Sequence, residues 1–142
     1  MTATTTSQDT PRREGKVMAY GVAASTKVPK GVLTQLASGY LTSMTKAASL
    51  IFSGVAYEEA DNSATATNGY IKGRTYREGI FEFTLASAAI TDIGSVVYAL
   101  DNVTVTKTST DATAVGKIVG VENTNKAFID IRERLLNDDP EI

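Results

Sequence analysis

Cysteine and histidine are both absent from the 142 residues, and so is tryptophan. Without cysteine there are no disulfides, thiolate metal sites, iron–sulfur clusters or cysteine nucleophiles. Without histidine the chain loses most acid–base chemistry near neutral pH, Ser-His-Asp activation and the commonest metal ligand. Lysine or paired carboxylates could still act, but no motif points to a glycosidase-like pair. The expectation is a protein that is not an enzyme and holds no cofactor or metal. Charge of one sign is also missing: 14 basic against 16 acidic residues leave a net −2. That balance argues against nucleic acid or an anionic membrane as partner. No apolar run approaches the ~20 residues of a membrane span. The opening MTATTTSQDTPRREG lacks the charged-then-apolar pattern of a secretory signal. Synthesis in the host cytoplasm is expected.

What is present is threonine, the commonest residue, spaced among Ala, Gly and Val in short pieces. Residues 1–15 are polar and end in Pro11-Arg12-Arg13-Glu14-Gly15, so they are expected to form an extended arm. Residues 16–135 read as a single β-rich domain, and 136–142 as an acidic tail. Within the domain, turn signals recur every ~8 to 12 residues, the spacing of a sandwich or barrel. KVMAYGVA, VLTQL, YLTSM, SLIFSGVAY, GYIKGRTY, IFEFTL, SVVYAL, VTVTKT, GKIVGVE and AFIDIRE read as strands. IFEFTL alternates most clearly, with Phe81, Phe83 and Leu85 on one face. In VTVTKT, Val103 and Val105 are expected to face inward and the threonines outward. TKAASLIF and ASAAI are the ambiguous pieces, and the second is the candidate for the one helical turn. The fold class is therefore all-β with little helix.

Candidate interaction residues fall in two places. The first is the arm, where Thr4, Thr5, Thr6 and Pro11 could add an extended strand to a partner, and Arg12 and Arg13 could meet carboxylates. The second is the strand GYIKGRTY, which puts Tyr70, Lys72, Arg74 and Tyr76 on one face. Alternating aromatic and basic side chains could stack on bases or sugars. A protein–protein interface fits better, because the surrounding charge is not basic. Glu58, Glu59 and Asp61 could bind a hard cation, but they lack the spacing of a calcium loop and read as solvated charges. Asp92 and Asp101 sit at strand ends, where Asp is first a turn former. The glycines form no phosphate-binding loop.

From Lys27 onward the order of pieces resembles a family of small phage head proteins, the capsid cement or decoration proteins. The matching stretches are VPKGVLTQLASGYLT (28–42), FSGVAYEEADNS (52–63), IGSVVYALDNVTVTKT (93–108) and AVGKIVGVENTNKAFIDIRERL (114–135). They span about three quarters of the chain, and the Thr-rich arm lies outside them. The resemblance implies a small β-barrel or β-tulip-like sandwich on the outer surface of an icosahedral head. It implies a homodimer or homotrimer whose partner is the major capsid protein and which clamps neighbouring capsomers. A phage tail or fibre component and a small carbohydrate-binding β-domain are the alternatives.

Overall fold

The computed structural model describes residues 6–7 and 16–131. The arm other than Thr6 and Ser7, and the acidic tail, lie outside the described residues. Among the described residues the elements are β1 (Val17–Gly21), β2 (Lys27–Val28), β3 (Leu33–Ala37), β4 (Tyr40–Ser43), β5 (Ile51–Ala56) and β6 (Ala60–Asp61). There follow β7 (Lys72–Tyr76), β8 (Ile80–Leu85), a single 3-10 turn at Ile90–Asp92, β9 (Val96–Ala99), β10 (Thr104–Thr106), β11 (Ala114–Asn123) and β12 (Lys126–Asp130). The fold is all-β, as the turn spacing requires.

The strands do not make one sandwich. The last five close into a barrel in the order β10-β8-β12-β11-β9, whereas β1-β7-β5-β3-β4 form a separate five-stranded sheet and β2 pairs with β6. In the barrel only β8 and β10 run parallel, and the other pairs are antiparallel. The barrel follows directly from alternation. Phe83 and Leu85 of β8, Val97 and Ala99 of β9, Val105 of β10, Val115 and Ile118 of β11, and Ala127 and Ile129 of β12 all point inward and are buried. Each large apolar side chain so buried stabilises the fold by ~1.5–3 kcal/mol.

The five-stranded sheet curls until its two edges touch, where Val22 bridges Leu41. Its core is smaller: Val22, Val28, Val32, Leu41, Ala56 and Ala60. Beside that core the interior is polar. Thr34 donates its hydroxyl to the Gly54 carbonyl (2.9 Å) and lies 2.7 Å from the Ser53 hydroxyl. Thr34 has one hydroxyl hydrogen, so Ser53 is the donor to it. The Thr75 hydroxyl donates to the Ser53 carbonyl (3.3 Å), which carries this polar run from β3 across β5 to β7.

Three residues of the sheet side enter the other core. Leu33, Met44 and Val55 pack with the barrel interior. Polar contacts reinforce the seam. Leu33 N–H donates to the Asn102 carbonyl (2.8 Å), and the Thr113 hydroxyl accepts from Leu50 N–H (2.9 Å) while donating to the Ala47 carbonyl (2.8 Å).

Some expectations need correction. Val103 does not face inward; it is 46% exposed. The Asp101 carboxylate accepts from the N–H groups of both Val103 (2.8 Å) and Thr104 (2.7 Å), and this turn delays the strand by one residue. TKAASLIF is neither helix nor strand until Ile51, whereas ASAAI does lead into the 3-10 turn. The two-residue strands β2 and β6 are too short to leave a periodic signal.

Gly54 tests the sheet's geometry. Its φ of +130° lies in the region that only glycine occupies readily, and an added Cβ would stand 2.0 Å from the Tyr76 carbonyl oxygen. Gly54→Ala is expected to lower stability by at least about 3 kcal/mol in urea unfolding. Gly31→Ala, at φ +83° with open space around the new methyl, is expected to cost only about 1 kcal/mol.

Candidate functional site

Strand β7 is the part of the proposed face that the structure describes most fully. Gly73 and Thr75 are buried, which leaves Lys72 and Arg74 exposed and Tyr76 half-buried on the opposite side. These three share one face, as their spacing requires. Tyr70 does not belong to the strand. It lies after the Asn68-Gly69 turn, its N–H donating to the Thr67 carbonyl (3.3 Å), and it is 69% exposed.

Arg74 is already engaged. Its Nε and one terminal nitrogen donate to the two Glu58 carboxylate oxygens at 2.9 and 2.8 Å, a two-pronged pair. The guanidinium carbon stands 4.5 Å from the centre of the Tyr57 ring. Tyr57 packs on Tyr76 at 4.9 Å and Tyr76 on Phe81 at 5.3 Å, both tilted. A row from Arg74 through three aromatic rings thus runs from the sheet onto β8 of the barrel. Hydrogen bonding from Arg74 holds the Glu58 carboxyl below its ordinary range, and the same bond raises Arg74.

The remaining acidic candidates separate. Glu59 lies 3.7 Å from Lys27, while Asp61 accepts from the Ser63 hydroxyl and N–H. The Ser63 hydroxyl is the main reason the Asp61 carboxyl is lowered. Glu58, Glu59 and Asp61 thus face three different partners. Among the described residues no three acidic side chains gather as a cation site. Asp92 caps its own turn, accepting from Ala89 N–H (2.9 Å) and from the Lys107 ammonium (2.9 Å). The Lys107 bond, then the Ala89 one, lowers its carboxyl.

Of the arm residues, Thr6 is described and exposed, whereas Thr4, Thr5, Pro11, Arg12 and Arg13 lie outside the described residues.

Two features escaped the sequence reading. Asn62 is buried and donates its side-chain amide to the carbonyls of Val22 (3.2 Å), Ala23 (3.0 Å) and Thr67 (3.0 Å). It ties the 62–70 loop to the end of β1, and in sequence it looks like any turn asparagine. The second is an apolar end of the barrel. Gly94 N–H donates to the Ile118 carbonyl (2.8 Å) and Ile118 N–H to the Ser95 carbonyl (2.9 Å). These bonds set the 3-10 turn against the bulge in β11, where Ile90 (75% exposed), Ile93 (48%) and Val119 (41%) are left in solvent. The signal in sequence was three β-branched residues beside turn glycines.

Clefts are shallow. One of about 230 Å³ lies between the start of β5 and Arg77, lined also by Tyr20, Leu36 and Phe52, with no carboxylate in its lining.

Three carboxylates with lowered pKa make stability depend on pH in one direction. A group depressed on folding contributes fully above its unfolded value, about 3.9 for Asp and 4.3 for Glu, and the contribution disappears as pH falls through the folded value. The urea midpoint is therefore expected to stay level from neutral pH to about 5 and to fall below about 4. Glu58→Gln should show a smaller acid loss than the parent chain; an equal loss would remove the Arg74 pair from the explanation.

No family model, no curated protein and no solved structure matches the chain. The likeness to capsid decoration proteins therefore stands on the short stretches quoted above and on what those stretches build.

Proposed function

We propose that the protein is a structural, non-catalytic component of a phage head, a decoration protein that binds the outer surface of the assembled capsid and stabilises contacts between major capsid proteins. The observation that carries this reading is the barrel end at Ile90, Ile93 and Val119. Apolar side chains gathered there on a braced backbone are the kind of surface that protein partners cover. The resemblance stretches supply β3 and β4, β5, the β9–β10 connection and the β11–β12 hairpin, so they include one wall of that end. A clamp of this kind needs shape and apolar contact rather than a reactive group. Individually weak contacts become strong when one oligomer spans several capsid subunits.

A carbohydrate-binding β-domain is the second reading, favoured by exposed Tyr70 and the Tyr57–Tyr76 row. Its main polar handle, Arg74, is occupied by Glu58.

The test is cosedimentation of the purified protein with mature, undecorated phage heads. The parent chain is expected to bind saturably at a fixed ratio to the capsid protein and to raise the heat resistance of the heads. Ile90→Asp and Val119→Asp should weaken that binding at least ~10-fold, since burying an unpaired carboxylate costs more than 1.4 kcal/mol. Their circular dichroism should be unchanged. Failure of the parent chain to bind any head form would refute the reading.

A further inference from the structure

The barrel has no strand edge, but the open sheet has two, and they are not equally satisfied. In β4 the Met44 N–H donates to the Leu33 carbonyl (2.9 Å), so the backbone groups of Leu41 and Ser43 are those that face away from β3. They are largely taken. The Leu41 carbonyl accepts from Ala23 N–H (3.0 Å), the parallel bridge to Val22 turns the Leu41 N–H to the Gly21 carbonyl, and the Ser43 carbonyl accepts the Gln35 side-chain amide (3.0 Å).

Strand β1 is different. Arg77 N–H donates to the Lys16 carbonyl (2.7 Å) and Val22 N–H to the Ile71 carbonyl (2.9 Å), so even-numbered residues face β7. Val17, Ala19 and Gly21 face away. With the Gly21 carbonyl used by the bridge, the N–H and C=O of Val17 and Ala19 are left without a partner among the described residues. Natural sheets protect such edges with Lys, Pro, a bulge or a covering segment. Val-Met-Ala-Tyr-Gly carries no charge or proline, and its register with β7 is unbroken.

We propose that this edge is a homodimer seam, with β1 of two copies pairing antiparallel about a two-fold axis at Met18. The free groups are symmetric about that residue. Val17 of one copy and Ala19 of the other exchange both of their backbone bonds, and the two-fold repeats the exchange. Four bonds then use all four free groups of each chain, and none of the groups already taken is needed. That symmetry favours a second copy over an unrelated extended segment, whose pattern would have no reason to close on Met18. The two Met18 residues meet at the closely spaced position between bonded pairs, where half-buried apolar side chains come into contact. Arg74, cross-strand from Ala19, brings no unpaired charge to the seam because Glu58 holds it. The inference is independent of the capsid reading.

The test is sedimentation of the full chain over a dilution series, with hydrogen exchange of the β1 amides read at both ends. A monomer–dimer equilibrium is expected, with Val17 and Ala19 amides protected only at high concentration and Met18 and Tyr20 amides protected throughout. Ala19→Pro removes a donor that no bond within the chain uses, and with it two of the four seam bonds. It should weaken dimerisation about 10-fold or more. Ala19→Lys, the usual edge-blocking residue, should act alike and serves if the proline variant does not fold. Three results would overturn the proposal: a monomer at every concentration with fast exchange at Val17 and Ala19, a dimer indifferent to both variants, or concentration-independent protection of those two amides.

Discussion

Leu33, Met44 and Val55 leave one β-layer and end inside the core of the other, and the rest of the molecule is organised around that crossing. The curled sheet could not support itself well. Its own core consists of valines, alanines and one leucine, and part of its interior is given to the Thr34, Ser53 and Thr75 hydroxyls. Those groups are satisfied, so they cost little, but they bury no apolar area. The barrel supplies what the sheet lacks. The Leu33–Asn102 bond and the two-way Thr113 hydroxyl fix how the modules meet, and the aromatic row from Tyr57 to Phe81 braces the opposite surface.

A joint of this kind makes the outer surface stiff, and stiffness gives the exposed side chains their meaning. Ile90, Ile93 and Val119 stand on backbone held by the Gly94–Ile118 and Ile118–Ser95 bonds and by the Asp92–Lys107 pair. An apolar patch held in place loses little entropy on meeting a partner. The surface charges described above are mostly answered by neighbours within the chain: Glu58 by Arg74, Glu59 by Lys27, Asp92 by Lys107. Such pairs set the shape and acid sensitivity of the surface more than its affinity.

Where one face of a strand is buried, the sequence was easy to read. IFEFTL gives β8 to the residue, and the alternation of Lys72, Arg74 and Tyr76 gives their shared face. What could not be read depends on contacts between distant residues. Nothing local tells Glu58 that it will meet Arg74 across 16 positions, or Tyr57 that it will lie beneath that guanidinium. Val103 alternates correctly and still faces out, because the Asp101 turn overrides the period. The division into barrel and sheet was hidden for the same reason: both halves carry the same threonine-rich, eight-to-twelve-residue punctuation. Exposure of the apolar barrel end could not be deduced from the chain either, since isoleucine beside a turn ordinarily packs inward.

The central claim is that barrel and sheet behave as one body through the Leu33–Met44–Val55 seam. Residue-resolved hydrogen exchange under increasing urea tests it directly, with amides of Val97 and Ile129 reporting on the barrel and those of Thr34 and Thr75 on the sheet. A shared seam predicts that all four exchange through a single global opening, with the same free energy and the same dependence on urea. Loss of Thr34 and Thr75 protection at markedly lower urea, with Val97 and Ile129 still protected, would contradict it.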